Sequence, residues 1–242
     1  VSDDRPLILA VDTATSCSSV SLTWGDMHDG ELLATLSLNS KITHSRRLLT
    51  GIDWLLHENS VDKNDIDALA VGLGPGSFTG LRIAMATMKG MAMAMTKPLL
   101  GCSTLDALAL NCSGNKPLCV LLDARKKEVY RQWYVQDAQN VYRPRGTIQA
   151  LTPVELVAEV TEPVLMVGDG LLSYGEFLLE SLGDYLTMAP LPLHYPSATT
   201  IGLLCCEKLR QDDVLDLDSA VPLYVRASDA ELSLLNKEEQ EK

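Results

Sequence analysis

The order of the predicted elements constrains this chain most: three strands, a helix, a strand and a helix occur twice in 242 residues. In the first half, the apolar run Leu7-Ile8-Leu9-Ala10-Val11 closes on Asp12-Thr13 and reads as a buried strand. Strand-like segments from Ser18 to Trp24 and from Leu32 to Asn39 follow, parted by a glycine-bearing turn region, which predicts a meander. The period then changes. Leu48, Leu49, Ile52, Leu55 and Leu56 recur at steps of three and four, predicting a helix from Thr43, its N-cap, to His57. A buried strand from Ile66 to Gly72 and a helix from Phe78 to Met95 complete the first set.

The second half predicts strands over Pro117 to Asp123, Glu128 to Gln136 and Val141 to Ala150, the last interrupted by Pro144. A helix capped by Thr152, a strand from Val164 to Gly168 and a helix from Leu172 to Leu182 follow, then a further helix over 197–210. The order favours an α/β chain of two duplicated mixed-sheet lobes, 1–100 and 101–226, with a cleft between them. In this reading 227–242 is a polar tail, and the helix at 197–210 is free to pack back on the first lobe. A single mixed sheet with helices on both faces is the alternative.

Apolar residues at 46% and charged residues at 21% exclude wholesale disorder. Aromatic residues supply only 5%, so the core must rest on Leu, Val, Ala and Met. The 20 basic and 32 acidic side chains give a net charge of −12, which argues against a stand-alone nucleic-acid binder. No apolar run approaches the roughly 18–20 residues that span a bilayer. The first residues lack a signal-peptide pattern, and the six cysteines include no Cys-x-x-Cys pair. The expectation is a cytoplasmic chain with no membrane contact.

Gly72-Leu73-Gly74-Pro75-Gly76-Ser77-Phe78-Thr79-Gly80-Leu81-Arg82 lies between a predicted strand and a predicted helix, where backbone N–H groups can cradle an anion. The spacing fits neither the Walker loop nor the dinucleotide fingerprint. A tight structural loop, with Gly74, Pro75 and Gly76 at its centre, is the simpler reading. Asp12 and Thr13 close the first strand, and Asp123 closes the matching strand of the second half. These are the positions of a phosphate-binding hairpin in actin-like kinases, but Ala14 stands where such kinases carry glycine, and its side chain would crowd a phosphate. No two of the four histidines are three to five residues apart, and no Gly-x-Ser-x-Gly occurs.

The two first-half helices carry more apolar surface than one core needs, and five methionines fall between Met85 and Met95. Their spacing predicts an outward docking stripe of Leu48, Ile52, Leu55, Met85, Met88 and Ala92. Plain core packing is the competing reading.

Leu9 to Thr15, His44 to Leu49, Ala70 to Arg82 and Asp123 to Tyr130, with Pro222-Leu223-Tyr224-Val225-Arg226 near the end, together resemble the TsaB family, also called YeaZ. The Gly-Pro-Gly-Ser-Phe-Thr-Gly-Leu-Arg block is the most specific of these. Ala14 and Arg46 depart from the family pattern, where a serine and an acid are common. The resemblance implies a two-lobed actin-like ATPase (ASKHA) fold and a part in making N6-threonylcarbamoyladenosine beside the anticodon of ANN-decoding tRNAs. It implies a non-catalytic scaffold that supports the metal-bearing TsaD, with TsaE as the associated ATPase and tRNA met only through the complex. It also implies pairing through first-lobe helices, with TsaD or, when alone, with a second copy. No cofactor is expected in the isolated chain, and Asp12, Thr13 and Asp123 would be vestigial phosphate-loop positions. The alternative is an actin-fold enzyme acting alone, as a small-molecule kinase or a metallopeptidase.

Overall fold

A computed structural model describes residues 5–39 and 44–226. Ten strands form two five-stranded sheets among these residues. In the first, β1 (Leu7–Asp12), β2 (Cys17–Trp24) and β3 (Glu31–Asn39) form an antiparallel meander. Then α1 (His44–Glu58) leads to β4 (Ala68–Gly72), and α2 (Phe78–Met95) leads to β5 (Leu99–Cys102). Both strands run parallel to β1, in the order β3-β2-β1-β4-β5. After α3 (Thr104–Leu110), the second sheet repeats the plan with β6 (Leu118–Arg125), β7 (Glu128–Gln136), β8 (Tyr142–Leu151), α4 (Pro153–Glu159), β9 (Val164–Val167), α5 (Gly170–Leu182) and β10 (Leu186–Met188). Its order, β8-β7-β6-β9-β10, is that of the first sheet element for element. The final helix is α6 (Ala198–Arg210). This duplication is the two-lobed actin-like fold; the single-sheet alternative is excluded.

Every residue of β1 is buried because the sheet is covered on both faces, and a strand in that position reads as one apolar run. Leu7, Leu9 and Val11 face α1 and α2, while Ile8 and Ala10 face α6. In the second sheet, Leu118, Val120 and Leu122 of β6 face α3, and Cys119 and Leu121 face α4 and α5. The lobes therefore exchange helices. α3, which follows the first sheet in the chain, packs on the second, and α6, which follows the second, packs on the first. Pulling the lobes apart would strip an apolar face from each.

Local signals place the helix starts. Ser77 Oγ accepts from the Gly80 N–H at 3.2 Å, and Thr152 and Glu155 form a reciprocal capping box. Ser197 caps α6. Pro144 is tolerated because β8 is an edge strand. Three short elements, β5, α3 and β10, lie beyond the sequence expectations. The expected Thr43 cap and the tail at 227–242 lie outside the described residues. No helix among those described is long and apolar enough to cross a membrane.

Candidate functional site: the cleft between the lobes

The C-terminal ends of β1 and β6 carry Asp12 and Asp123 toward one region between the lobes, but the two carboxylates meet different neighbours. Asp12 is 1% exposed. Its Oδ1 accepts from the Ala14 N–H at 2.8 Å, and its Oδ2 accepts from the Thr104 hydroxyl at 2.7 Å. A Cβ at Gly72 would lie 2.0 Å from Oδ2, so only glycine lets β4 pass this carboxylate. Burial pushes the Asp12 carboxyl up to about 6, against the two hydrogen bonds that favour its ionised form.

The glycine-rich stretch closes over the same hairpin. Thr13 Oγ1 donates to the Gly80 carbonyl at 2.7 Å, and the Ser77 N–H donates to the Ala14 carbonyl at 2.7 Å. A Cβ at Gly76 would stand 2.2 Å from the Ala14 oxygen, and one at Gly80 would stand 2.1 Å from the Thr13 oxygen. Thus the start of α2 docks directly on the β1–β2 turn. Gly74 has φ of +96°, and its carbonyl accepts from the Thr104 N–H at 3.0 Å; the Gly74–Pro75 peptide is cis.

Asp123 is open by comparison. It lines a cleft of about 470 Å³ together with Asp169 at the start of α5, Arg125 and Lys126 at the β6–β7 turn, and Tyr224 and Arg226 of the C-terminal segment. The Asp123 N–H donates to Asp169 Oδ1 at 3.0 Å, while Asp123 accepts from Arg125 through its N–H at 2.8 Å and its guanidinium at 3.2 Å. Burial pushes the Asp169 carboxyl up to about 6. Arg226 is held by Glu128 at 2.5 Å. Asp123 and Asp169 are the acids that could approach a cation in this cleft, but no group of three or more His, Cys, Asp or Glu among the described residues could hold a metal.

The C-terminal segment builds one wall. The Leu223 N–H donates to the Leu73 carbonyl at 2.8 Å, and Lys89 Nζ donates to the Ala220 carbonyl at 3.2 Å. The Tyr224 ring lies 5.2 Å from that of Phe78, and the Arg82 guanidinium sits 3.8 Å over Phe78 while its Nε donates to the Tyr224 hydroxyl. Asp169 is a cleft residue that the sequence reasoning missed, although its strand-to-helix position matches the start of the glycine-rich loop in the first lobe. Tyr224 and Arg226 have a signal in the Pro222-to-Arg226 motif.

The expected docking stripe requires correction. Leu48, Ile52, Leu55, Met85, Met88 and Ala92 are all buried in the first lobe's own core, packed with Leu9, Val11, Leu69 and Val71. Their spacing identifies the face that the sheet takes. The large apolar side chains that α1 and α2 leave outward are Leu49, Trp54 and Met93.

A family model described as "TsaD: tRNA N6-adenosine threonylcarbamoyltransferase" matches residues 32–233. The tRNA threonylcarbamoyladenosine biosynthesis protein TsaB of Escherichia coli strain K12 is 31% identical over 238 residues, covering 96% of this chain and 99% of the relative. The chain belongs to the TsaB family. The Bacillus subtilis TsaB is 27% identical over 227 residues, with 93% and 96% covered. Among solved structures, YeaZ from Pseudomonas aeruginosa superposes with a TM-score of 0.71 at 29% identity, covering 90% of this chain and 99% of that one. The resemblance extends end to end and is not confined to the glycine-rich block.

Proposed function

We propose that this chain serves tRNA threonylcarbamoyladenosine biosynthesis as a non-catalytic subunit that binds and supports a TsaD-like enzyme, with a TsaE-like ATPase in the same assembly. The end-to-end match to TsaB relatives carries the reading. The geometry of the first lobe supports the non-catalytic part. A carboxylate that directs a metal must offer an oxygen to the ligand, and Asp12 is buried beside the cleft with each oxygen already accepting a hydrogen bond from Ala14 or Thr104. At the start of α2, the Ser77 N–H is taken by the Ala14 carbonyl and the Gly80 N–H by Ser77 Oγ. The chain would meet tRNA through its partner, consistent with a net charge of −12.

The outward faces of α1 and α2 would form the contact with TsaD, or with a second copy when the chain is alone. Trp54 at 51% and Met93 at 67% exposure are its anchors. Trp54→Glu and Met93→Glu lie outside the core, so both variants should keep the wild-type melting temperature. They should lose TsaD pull-down, self-association by sedimentation, and rescue of the tRNA modification in cells depleted of their own TsaB. Normal binding by both folded variants would remove α1 and α2 from the interface. Asp123 beside Asp169 favours a second reading, an enzyme acting alone. Tight, stoichiometric ATP–Mg²⁺ binding by the isolated chain, abolished by Asp169→Asn, would support it.

A further inference from the structure

At the pole of the second lobe remote from the cleft, a pocket of about 430 Å³ opens between the β7–β8 ribbon and the loop after α4. It exists because β8 carries a bulge. Arg131 pairs with Gln149 and Trp133 with Arg145, so three residues of β8 stand opposite Gln132 alone. Gly146 turns the bulge with φ of +75°, and the Gln132 amide fixes it by donating to the carbonyls of Trp133 at 2.9 Å and Arg145 at 3.1 Å.

Arg131 forms the floor. It is only 6% exposed, an unusual position for a guanidinium. Nη2 donates to Gln149 Oε1 and to Glu159 Oε1, each at 2.5 Å, and Nη1 reaches the Thr147 carbonyl at a long 3.4 Å. The buried Nε has no partner, so a guanidinium with five N–H groups is under-satisfied. The other oxygen of Glu159 accepts from the Trp133 indole N–H at 3.0 Å. Arg145 adds a second cation and Glu162 a second carboxylate to the lining, while Trp133, Val160 and Val164 supply apolar wall.

A buried ion pair serving structure alone is best closed on itself and fully hydrogen-bonded. Here the pair borders open volume and the cation has donors left over. We infer that this pocket is a binding site for a small carboxylate with a short apolar body, its head group on the Arg131–Arg145 side and its body against Trp133. With both Nη2 hydrogens committed, one ligand oxygen would take the second Nη1 N–H of Arg131 and the other the exposed Arg145 guanidinium. The body would lie along the wall of Trp133, Val160 and Val164.

The Trp133 indole N–H provides a local readout. In a ¹H–¹⁵N correlation spectrum the three tryptophans give three indole peaks, and Trp133→Phe assigns the relevant one. Titration with 3-methylbutyrate and with N-acetylvaline should shift that peak saturably. Their neutral amides should bind about tenfold more weakly or worse, having lost a charge-assisted pair. Arg131→Met should abolish the shift, but it strands Glu159 and could unfold the lobe. Thr147→Tyr, at an exposed bulge position that lines the pocket, therefore blocks the entry in a folded background. Loss of the shift in Thr147→Tyr with unchanged melting supports the site. Equal binding of acid and amide, no saturable shift at all, or a shift that survives Thr147→Tyr would each overturn it.

Discussion

The two lobes share strand order, parallel and antiparallel pairing, and a carboxylate at the end of the first strand, yet only the second lobe presents that carboxylate to the cleft. The difference lies in where the second helix of each lobe starts. In the first lobe, Gly76 and Gly80 bring the start of α2 onto the Ala14 and Thr13 carbonyls, beyond Asp12, so the helix caps the hairpin. In the second, Gly168 and Gly170 bring α5 against Leu121, two residues before Asp123, and the hairpin beyond stays open. A duplicated scaffold thus sets where a carboxylate stands. The register of one helix against one turn decides whether it can act.

The comparison breaks most severely at the glycines. Gly80→Ala places a methyl 2.1 Å from the Thr13 oxygen, and Gly168→Ala places one 2.0 Å from the Leu121 oxygen at a φ of +116°. Backbone cannot yield as a side-chain tip can, so each should cost about 2–4 kcal/mol. At about 2–4 °C per kcal/mol in a chain of this size, thermal melts will resolve both. Only Gly80→Ala should also uncover the first hairpin, read as faster amide exchange at Ala14 and Ser77. Equal exchange in the two variants would mean that α2 does not seal Asp12.

Next in size is the pH dependence. Asp12 and Asp169 both titrate near 6 in the folded chain, against 3.8 for an ordinary aspartate. At these two sites the folded state binds more protons than the unfolded state between about 4 and about 6, so their contribution to stability falls as pH rises through that window and levels off above it. A tenfold change in a carboxyl's acidity corresponds to about 1.4 kcal/mol. Asp12→Asn and Asp169→Asn should each remove a similar share of the slope, since burial raises the two carboxyls alike. In Asp12→Asn the amide oxygen can still accept from the Ala14 N–H, but its NH2 cannot accept from the Thr104 hydroxyl, so stability at neutral pH should also fall by about 1–3 kcal/mol. Urea titrations across the window measure the slopes; a slope left unchanged by either substitution would remove that carboxyl from the pH dependence.

Much of this arrangement is legible in the sequence, and the reasons differ by element. The α2 boundaries, Phe78 and Met95, follow from Ser77 as cap and a long helical period. The duplicated order is readable because each sheet is built from buried runs and period changes that do not depend on partners. β5, α3 and β10 escape because four-, seven- and three-residue elements carry too few turns of period to stand out, although Ser103 does cap α3. The stripe on α1 and α2 fails for another reason. Periodicity groups Leu48 with Ile52 and Leu55 but cannot say whether sheet or solvent faces them. The exchange of α3 and α6 is a tertiary fact with no local signature. Asp12 and Asp123 look alike in sequence, and the contacts that separate them come from Gly72, Thr104 and Asp169, which lie 46 or more residues away.

The smallest expected effect tests whether the glycines of α2 serve the hairpin or the helix. Gly90 lies in the same helix as Gly80 but is exposed, and a Cβ there would meet nothing within 4 Å. Its backbone is helical, so alanine adds no strain and removes the larger entropy that glycine loses on folding. Gly90→Ala should therefore raise stability by about 0.5–1 kcal/mol, opposite in sign to Gly80→Ala in one and the same helix. Urea denaturation at a concentration low enough to keep the chain monomeric isolates the intrinsic effect from association. A gain for Gly90→Ala with a loss for Gly80→Ala assigns the glycine requirement to the contact with Thr13. A loss at both would place it in the helix itself, and the sealing of the first hairpin would then need another cause.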